Sequence, residues 1–347
     1  MLDELISKLK NKEDLTYDEI TYSMENILSG KISDQDTANF LKNLRDKGES
    51  DVELLGMLDK MQSFSIQISP KHKSTIIDVC GTGGDNLQTF NISTTAAFVI
   101  AAAGGAVAKH GNRSVSGVSG SADIFEYFGY DLNAPPERVT EIIEKFGIGF
   151  MFAQKFHPAM KNVAKARKMI GGRTAFNLLG PLSNPAQVKN QLIGVFSDTF
   201  LQRLILLLKK TGAQNIMTVI SENGLDELST LSKNKICFLK NGEINSIIFD
   251  PQKLGLKKGN LNEIQISSKE EAVNAFFSVL NNTANNSMIE ITALNAAAGL
   301  IVANVADDFK DAIEISLDTI KSGATYSLFE DFIRFCGDVK KLEELKQ

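Results

Sequence analysis

Cysteine and histidine are both scarce in this chain, three of each in 347 residues. Cys80, Cys237 and Cys336 are odd in number, far apart and in no metal-like spacing. That excludes a disulfide framework and a cysteine-based zinc site, and points to a reducing, cytoplasmic setting. With only His72, His110 and His157 available, no Ser-His-Asp or Cys-His constellation stands out for nucleophilic catalysis. Long apolar runs are missing too: the longest weakly polar stretch, Ala96 to Ala108, is short and broken by glycine, so no membrane span is expected. The opening Met1-Leu2-Asp3-Glu4 is charged, which argues against a secretory signal. Nor is there an excess of basic residues: 37 Lys and Arg against 42 Asp and Glu give a net charge of −5, no global field for nucleic acid. Any functional positive charge must be local.

What the sequence does have is a run rich in glycine, serine and threonine, from Ile77 to Phe128, with three phosphate-cradle signatures in series. Gly81-Thr82-Gly83-Gly84-Asp85 follows the β-rich Thr75-Ile76-Ile77. Glycine there lets the backbone approach a phosphate without a Cβ in the way. Asn86 stands where a dinucleotide fingerprint needs its third glycine, and no Gly-Lys-Ser/Thr follows, so neither nucleotide motif applies. Asn91-Ile92-Ser93-Thr94 then opens an apolar helix, as caps or as an anion site. Lys109-His110-Gly111-Asn112-Arg113 ends a short strand with two cations beside a glycine, and Ser114, Ser116, Ser119 and Ser121 extend the cradle. Three strand-to-helix handovers of this kind, with N–H groups expected to point outward unpaired, predict a ligand carrying several phosphates.

Two further features bear on chemistry. Asp226-Glu227 follows the strand Met217 to Ile220, and paired carboxylates on a loop suit Mg²⁺, although acidic neighbours also occur at Glu270-Glu271, Asp307-Asp308 and Glu330-Asp331. Arg167 offers a planar fork for a carboxylate. On a helix begun near Pro158 it would share a face with His157, about 80° away at about 100° per residue. Lys161, Lys165 and Lys168 crowd the same helix, so a solvated basic surface is the competing reading, and His157 before proline could equally be a cap.

Thr16-x-x-Glu19 and Ser50-x-x-Glu53 read as capping boxes, Ser33 as a cap, and Gly48 as a helix end, giving an all-helical head. From residue 74 short β-branched runs alternate with helices: Thr75 to Val79, Ala106 to Ala108, Ile148 to Phe152, Leu192 to Phe196, Met217 to Ile220, Ile236 to Leu239 and Ile244 to Phe249. The expected fold is α/β, a small N-terminal all-helical domain plus a large α/β domain with a mostly parallel central sheet and ligands at the carboxyl ends of its strands. Gly171-Gly172 is loose enough to act as a hinge between domains.

Together these residues resemble the anthranilate phosphoribosyltransferase family. The resemblance continues in order through Phe156-His157-Pro158-Ala159-Met160, the run from Arg173-Thr174-Ala175-Phe176-Asn177 to Gly180-Pro181-Leu182-Ser183-Asn184-Pro185, Gly224-Leu225-Asp226-Glu227, and Leu294-Asn295-Ala296-Ala297-Ala298. It spans nearly the whole chain and implies the nucleoside phosphorylase-like fold, with a helical domain over residues 1–70, joined by a contribution from about 165–190, an α/β domain over 71–347, and a site in the cleft between them. It implies that Gly81, Thr82, Gly83, Gly84, Asp85, Thr89, Asn91, Ile92, Ser93, Thr94, Lys109, His110, Gly111, Asn112, Arg113, Ser114, Val115, Ser116, Gly117 and Ser121 bind phosphoribosyl pyrophosphate (PRPP). Gly81, His110, Asn112, Arg167, His157, Gly180 and Pro181 would then serve anthranilate. Ser93, Asp226 and Glu227 would hold Mg²⁺, two ions per subunit, in a cytoplasmic homodimer that binds neither nucleic acid nor membrane. No residue is assigned as general base. The family pattern Ser-Val-Ser-Ser-x-Ser-Gly becomes Ser114-Val115-Ser116-Gly117-Val118-Ser119-Gly120 here, which removes one hydroxyl and leaves no charge at Val118. A pyrimidine nucleoside phosphorylase and a non-catalytic nucleic-acid-binding paralogue of the same fold are the competing readings.

Overall fold

A computed structural model describes residues 2–83, 87–114 and 117–346. Helix caps organise the first part of the chain. Thr16 and Ser50 each close a capping box with Glu19 and Glu53, opening helices Tyr17–Leu28 and Asp51–Ser63. Ser33 caps helix Asp34–Lys47, which Gly48 terminates. Apolar residues at helical spacing, among them Ile20, Met24, Phe40, Leu44, Leu54 and Leu58, are buried between these helices and a further one, Leu2–Lys10. Glu53 does more than cap. Fully buried, it accepts from the main-chain N–H of Leu15 (2.9 Å) and of Ser50 (2.7 Å) and from Lys47 Nζ (2.9 Å), itself almost fully covered. One carboxylate thus ties three segments together.

The compact unit to which these helices belong comprises Met1–Gln67 and Ala153–Gln187. Its second stretch begins earlier than about 165, because the chain leaves the sheet at Phe152 and turns at once into a short helix, Ala153–Phe156. Gly171 and Gly172 both take positive φ, but they lie inside this unit. They are therefore not a hinge at a unit boundary.

The second unit, Ile68–Phe152 with Val188–Gln347, holds a seven-stranded sheet. Its strands are β1 (Ile76–Gly81), β2 (Ala106–Gly111), β3 (Ile148–Phe152), β4 (Asn190–Gly194), β5 (Asn215–Ser221), β6 (Asn234–Lys240) and β7 (Glu243–Phe249). The order is β3-β2-β1-β4-β5-β6-β7, parallel through β5, then antiparallel. The β6–β7 pairing has a local cause: the two strands are joined by Asn241-Gly242, both at positive φ, the two-residue hairpin turn whose twist matches its strands. β3 and β4 are buried along their whole length, as expected for parallel strands covered on both faces. One cover is the helix Asn286–Val302, apolar nearly all round and buried. Against it lies helix Ile92–Ala102, whose Phe98 meets Phe329 and Phe332 edge to face at 5.2 and 5.4 Å.

Replacing Glu53 by alanine leaves a covered Lys47 ammonium and two main-chain N–H groups without their shared acceptor. Lys47 keeps Asp14 and the Gly48 carbonyl, so urea unfolding is expected to show a loss of about 3 kcal/mol, from the lost ion pair and the two unsatisfied main-chain N–H groups; a loss under about 1 kcal/mol would contradict this account of the helical unit.

Candidate active site

In an open parallel sheet, a crevice forms where the connections from neighbouring strands leave in opposite directions. Here that place lies between β1 and β4: the chain leaves β1 toward β2 and leaves β4 toward β5. Gly81 and Gly194 face each other at the two carboxyl ends. Both must be glycine. A Cβ on Gly81 would stand 2.6 Å from Asp226 Oδ2, and one on Gly194 would overlap the Asp226 carbonyl oxygen. Asp226 is thus lodged in the crevice, and 7% of it remains exposed.

The acidic pair meets two main-chain donors. Gly83 N–H donates to Asp226 Oδ2 at 2.7 Å, and Ser93 N–H donates to Glu227 Oε1 at 3.3 Å. Ser93 lies in the first turn of helix Ile92–Ala102, where the helix dipole favours negative charge. Thr82 N–H bonds Gly194 O (2.9 Å), and its hydroxyl accepts from Phe196 N–H (3.1 Å). These amides, expected to be unpaired, are therefore already engaged, two of them by carboxylates. Beneath them is Lys109, 1% exposed, whose Nζ donates to Val79 O (2.6 Å) and Ser93 Oγ (3.4 Å). Burial pulls its pKa below that of an ordinary lysine. A pocket at this point is bounded by Ser93, Asp226, Glu227 and Asn295 on its polar side and by Val79, Cys80, Leu192 and Val219 below. Burial, and then the charge of Asp78, pushes the Cys80 thiol well up, so it offers no ready nucleophile.

The remaining cradle residues are braced against one another. Asn91 stands at the helix N-cap but makes no cap bond; its Nδ2 reaches Ser119 O at 3.2 Å. Thr94 and Ser121 share a hydroxyl–hydroxyl bond of 2.8 Å, Thr89 bridges Gln265, and Ile92 is buried. His110 ends up 8% exposed on β2, with its N–H donating to Asp78 Oδ1 (3.2 Å), and Gly111 closes the strand. Asn112 Oδ1 accepts from Arg113 N–H at 2.8 Å. Arg113 itself forks onto Glu126 at 2.5 and 2.6 Å, with Phe152 beneath its guanidinium, so its charge braces the loop instead of standing free. Gly117 lies beside Ser114, where a Cβ would come within 3.1 Å of Ser114 Oγ. Gly84, Asp85, Val115 and Ser116 fall outside the described residues.

Residues 73–326 match the glycosyl transferase family, a/b domain, and residues 3–65 its helical bundle domain. The chain is 63% identical over 345 residues, 99% of both chains, to an anthranilate phosphoribosyltransferase of Nitrosopumilus maritimus. The chain belongs to the anthranilate phosphoribosyltransferase family. It is accordingly an enzyme, a pentosyltransferase. The crystal structure of the anthranilate phosphoribosyltransferase from Thermus thermophilus superposes with a TM-score of 0.88 at 36% identity, over 96% of this chain and 99% of that one. The yeast anthranilate phosphoribosyltransferase in complex with PRPP and Mg shares the fold at 24% identity, with a TM-score of 0.86 over 96% and 97%.

The other residues that the family resemblance singles out lie in the helical unit. Arg167 belongs to helix Lys161–Ile170; its Nη2 donates to Asn177 Oδ1 (3.3 Å), and its guanidinium lies 5.6 Å from the Phe176 ring centre. Burial lowers its pKa. Lys165, by contrast, pairs with Asp34 at an exposed position, as a solvated basic face would. His157 precedes a 3-10 turn, Pro158–Met160, and makes no side-chain cap bond. The α-helix starts only at Lys161, so one helical face shared with Arg167 does not describe it. Gly180 and Pro181 form the 3-10 turn Gly180–Leu182, with open space at Gly180. The sequence reading missed Gly194, taken as the middle of a strand, and assigned no role to Asn295.

Two outcomes follow. In Gly194→Ala the new Cβ displaces Asp226, and kcat/KM is expected to fall by about a hundredfold or more, the scale for losing one preorganised group; wild-type kcat/KM would refute the close approach. Burial holds His157 near a pKa of about 4, against 6.5 when unfolded. Between those values only the unfolded chain takes up the proton, so stability falls as pH drops through that window, by up to about 3 kcal/mol below it. Urea midpoints of wild type and His157→Gln at pH 7 and pH 4.5 should diverge accordingly, and parallel pH profiles would contradict this.

Proposed function

We propose that this chain transfers the phosphoribosyl group of PRPP to the amine of anthranilate, giving N-(5'-phosphoribosyl)anthranilate and pyrophosphate, a step of tryptophan biosynthesis. The observation that carries the reading is the lodging of Asp226 and Glu227 against the Gly83 and Ser93 amides, above buried Lys109, in a chain of this family. The donor set fits Mg²⁺. Two carboxylates and the Ser93 hydroxyl are hard oxygen donors, and Mg²⁺ takes one or two carboxylates and completes its shell with waters and substrate phosphates. When bound, Mg²⁺ supplies charge neutralisation to the departing pyrophosphate. Two ions per subunit, a homodimer and a cytoplasmic location are part of the same proposal and rest on the family resemblance.

The chain's own residues do the rest. Displacement at the anomeric carbon has a cation-like ribosyl transition state, while negative charge grows on the leaving group. Lys109, held in a water-poor setting, counters that charge more strongly than an exposed ammonium would. Gly81 to Asp85, Thr89, Asn91 to Thr94, His110 to Gly117 and Ser121 position the phosphates and ribose. Arg113 contributes through its fork onto Glu126. On the acceptor side, Arg167 offers its fork to the anthranilate carboxylate, and Gly81, His110, Asn112, His157, Gly180 and Pro181 shape the pocket. No general base is required, because the aromatic ammonium formed on bond making sheds its proton readily to water. No observation favours nucleoside phosphorolysis or nucleic-acid binding.

Anthranilate fluorescence followed after mixing with PRPP and Mg²⁺ tests this. A loss of signal that needs all three components, slowed about a hundredfold or more in the Asp226→Asn, Glu227→Gln double variant, is the expected result. Unchanged fluorescence with the wild-type protein would overturn the assignment.

A further inference from the structure

The loop between β5 and β6 carries Asp226 and Glu227 near its middle. Its flanks secure it in part: Ser221 Oγ accepts from Leu225 N–H (3.1 Å), and the Asn234 side chain bonds both the N–H (2.8 Å) and the carbonyl (2.9 Å) of Ser229. A third bracket comes from much later in the chain. Asn295, 2% exposed in helix Asn286–Val302, accepts from Leu228 N–H at Oδ1 (3.0 Å) and donates from Nδ2 to Leu228 O (2.8 Å) and to Ile291 O (2.8 Å). Its carboxamide therefore meets Leu228 as a neighbouring strand would, donor to acceptor and acceptor to donor. Leu228 directly follows Glu227, and Asn295 borders the same pocket as the acidic pair and Ser93. One turn further along that helix, a Cβ on Gly299 would press into Ile100 of the helix that begins beside Ser93. A single helix thus touches both halves of the oxygen cradle.

We propose that Asn295 is a positioning residue for the acidic pair: by bracketing the Leu228 main chain, it sets where the Asp226 and Glu227 carboxylates stand relative to Ser93. The inference rests on reading that pair as the Mg²⁺ site. It assigns Asn295 no contact with substrate. Residues that orient metal ligands from behind are typically worth about 10–100-fold in metal affinity.

The test is calorimetric titration of the full chain with PRPP over a series of Mg²⁺ concentrations. Asn295→Ala is expected to raise the Mg²⁺ midpoint for PRPP binding about tenfold or more, in the same direction as Asp226→Asn. A merely structural asparagine would lower the unfolding midpoint and leave the Mg²⁺ midpoint in place, so a folded Asn295→Ala protein with the wild-type Mg²⁺ midpoint overturns the proposal. Should the variant not fold, amide exchange on the ligand-free wild type decides: the Leu228 N–H must exchange as slowly as the middle of the Asn295 helix, and exchange at an open-loop rate overturns the proposal. If wild-type PRPP binding ignores Mg²⁺, the metal reading fails instead, and the Leu228 exchange rate still decides whether Asn295 fixes the loop.

Discussion

Between the ends of β1 and β4 there is room for one main chain and no side chains on the walls. Gly81 and Gly194 form those walls, and Asp226 fills the space between them, its carboxylate against Gly81 and its carbonyl against Gly194. That steric fit depends on several other elements. It requires β1 and β4 to be neighbours although β2 and β3 intervene in sequence, and it requires the β5–β6 loop to turn back over the carboxyl ends of its neighbours. Helix Asn286–Val302, packed beneath, meets that loop through Asn295. A sheet built of the same strands in another order would still bring the glycine-bearing segments after β1 and β2 to strand ends, yet have no place for the acidic pair.

Charge is buried in the two units for different ends. In the helical unit Lys47 and Glu53 satisfy each other, with Asp14 and two main-chain amides completing the set. Nothing is left over, and the arrangement works as a fastening. Lys109, in the α/β unit, is as deeply covered, yet both oxygens that accept from it are neutral, a carbonyl and a hydroxyl. Its field is spent less completely on its own hydrogen bonds, and it sits under the position where leaving-group charge is expected to grow. The lowered pKa is the energetic mark of that placement.

Much of this was readable along the chain because it is local. All seven expected strands overlap the observed ones, the fourth displaced by two residues, and the capping boxes at Thr16 and Ser50 form as their spacing predicts. The helical caps and the Asn241-Gly242 turn depend on residues within a few positions of one another. Features that require distant parts of the chain to meet were not readable. The requirement for glycine at 194 exists only because residue 226 arrives there. Arg113 was read as a cation at a strand end because Glu126, which claims it, lies on a helix after an intervening loop. The start of the α-helix at Lys161 instead of Pro158 reflects a 3-10 turn, a distinction that apolar periodicity does not encode. Of the site, sequence identified the reactive residue types and their order; their mutual hydrogen bonds came only from the fold.

The hydrogen bonds from Gly83 and Ser93 to the acidic pair bear on selectivity. On the proposed reading, carboxylates occupy two of the amides that a phosphate would seek. A bare phosphate would then have to displace two negative groups and remain beside them, an exchange of like for like with added repulsion. An anion that arrives with a divalent cation gives the displaced carboxylates somewhere favourable to go. On the proposed reading the fold would favour the metal-escorted anion over the free one, a discrimination set by what the protein must give up and not by the shape of what it receives.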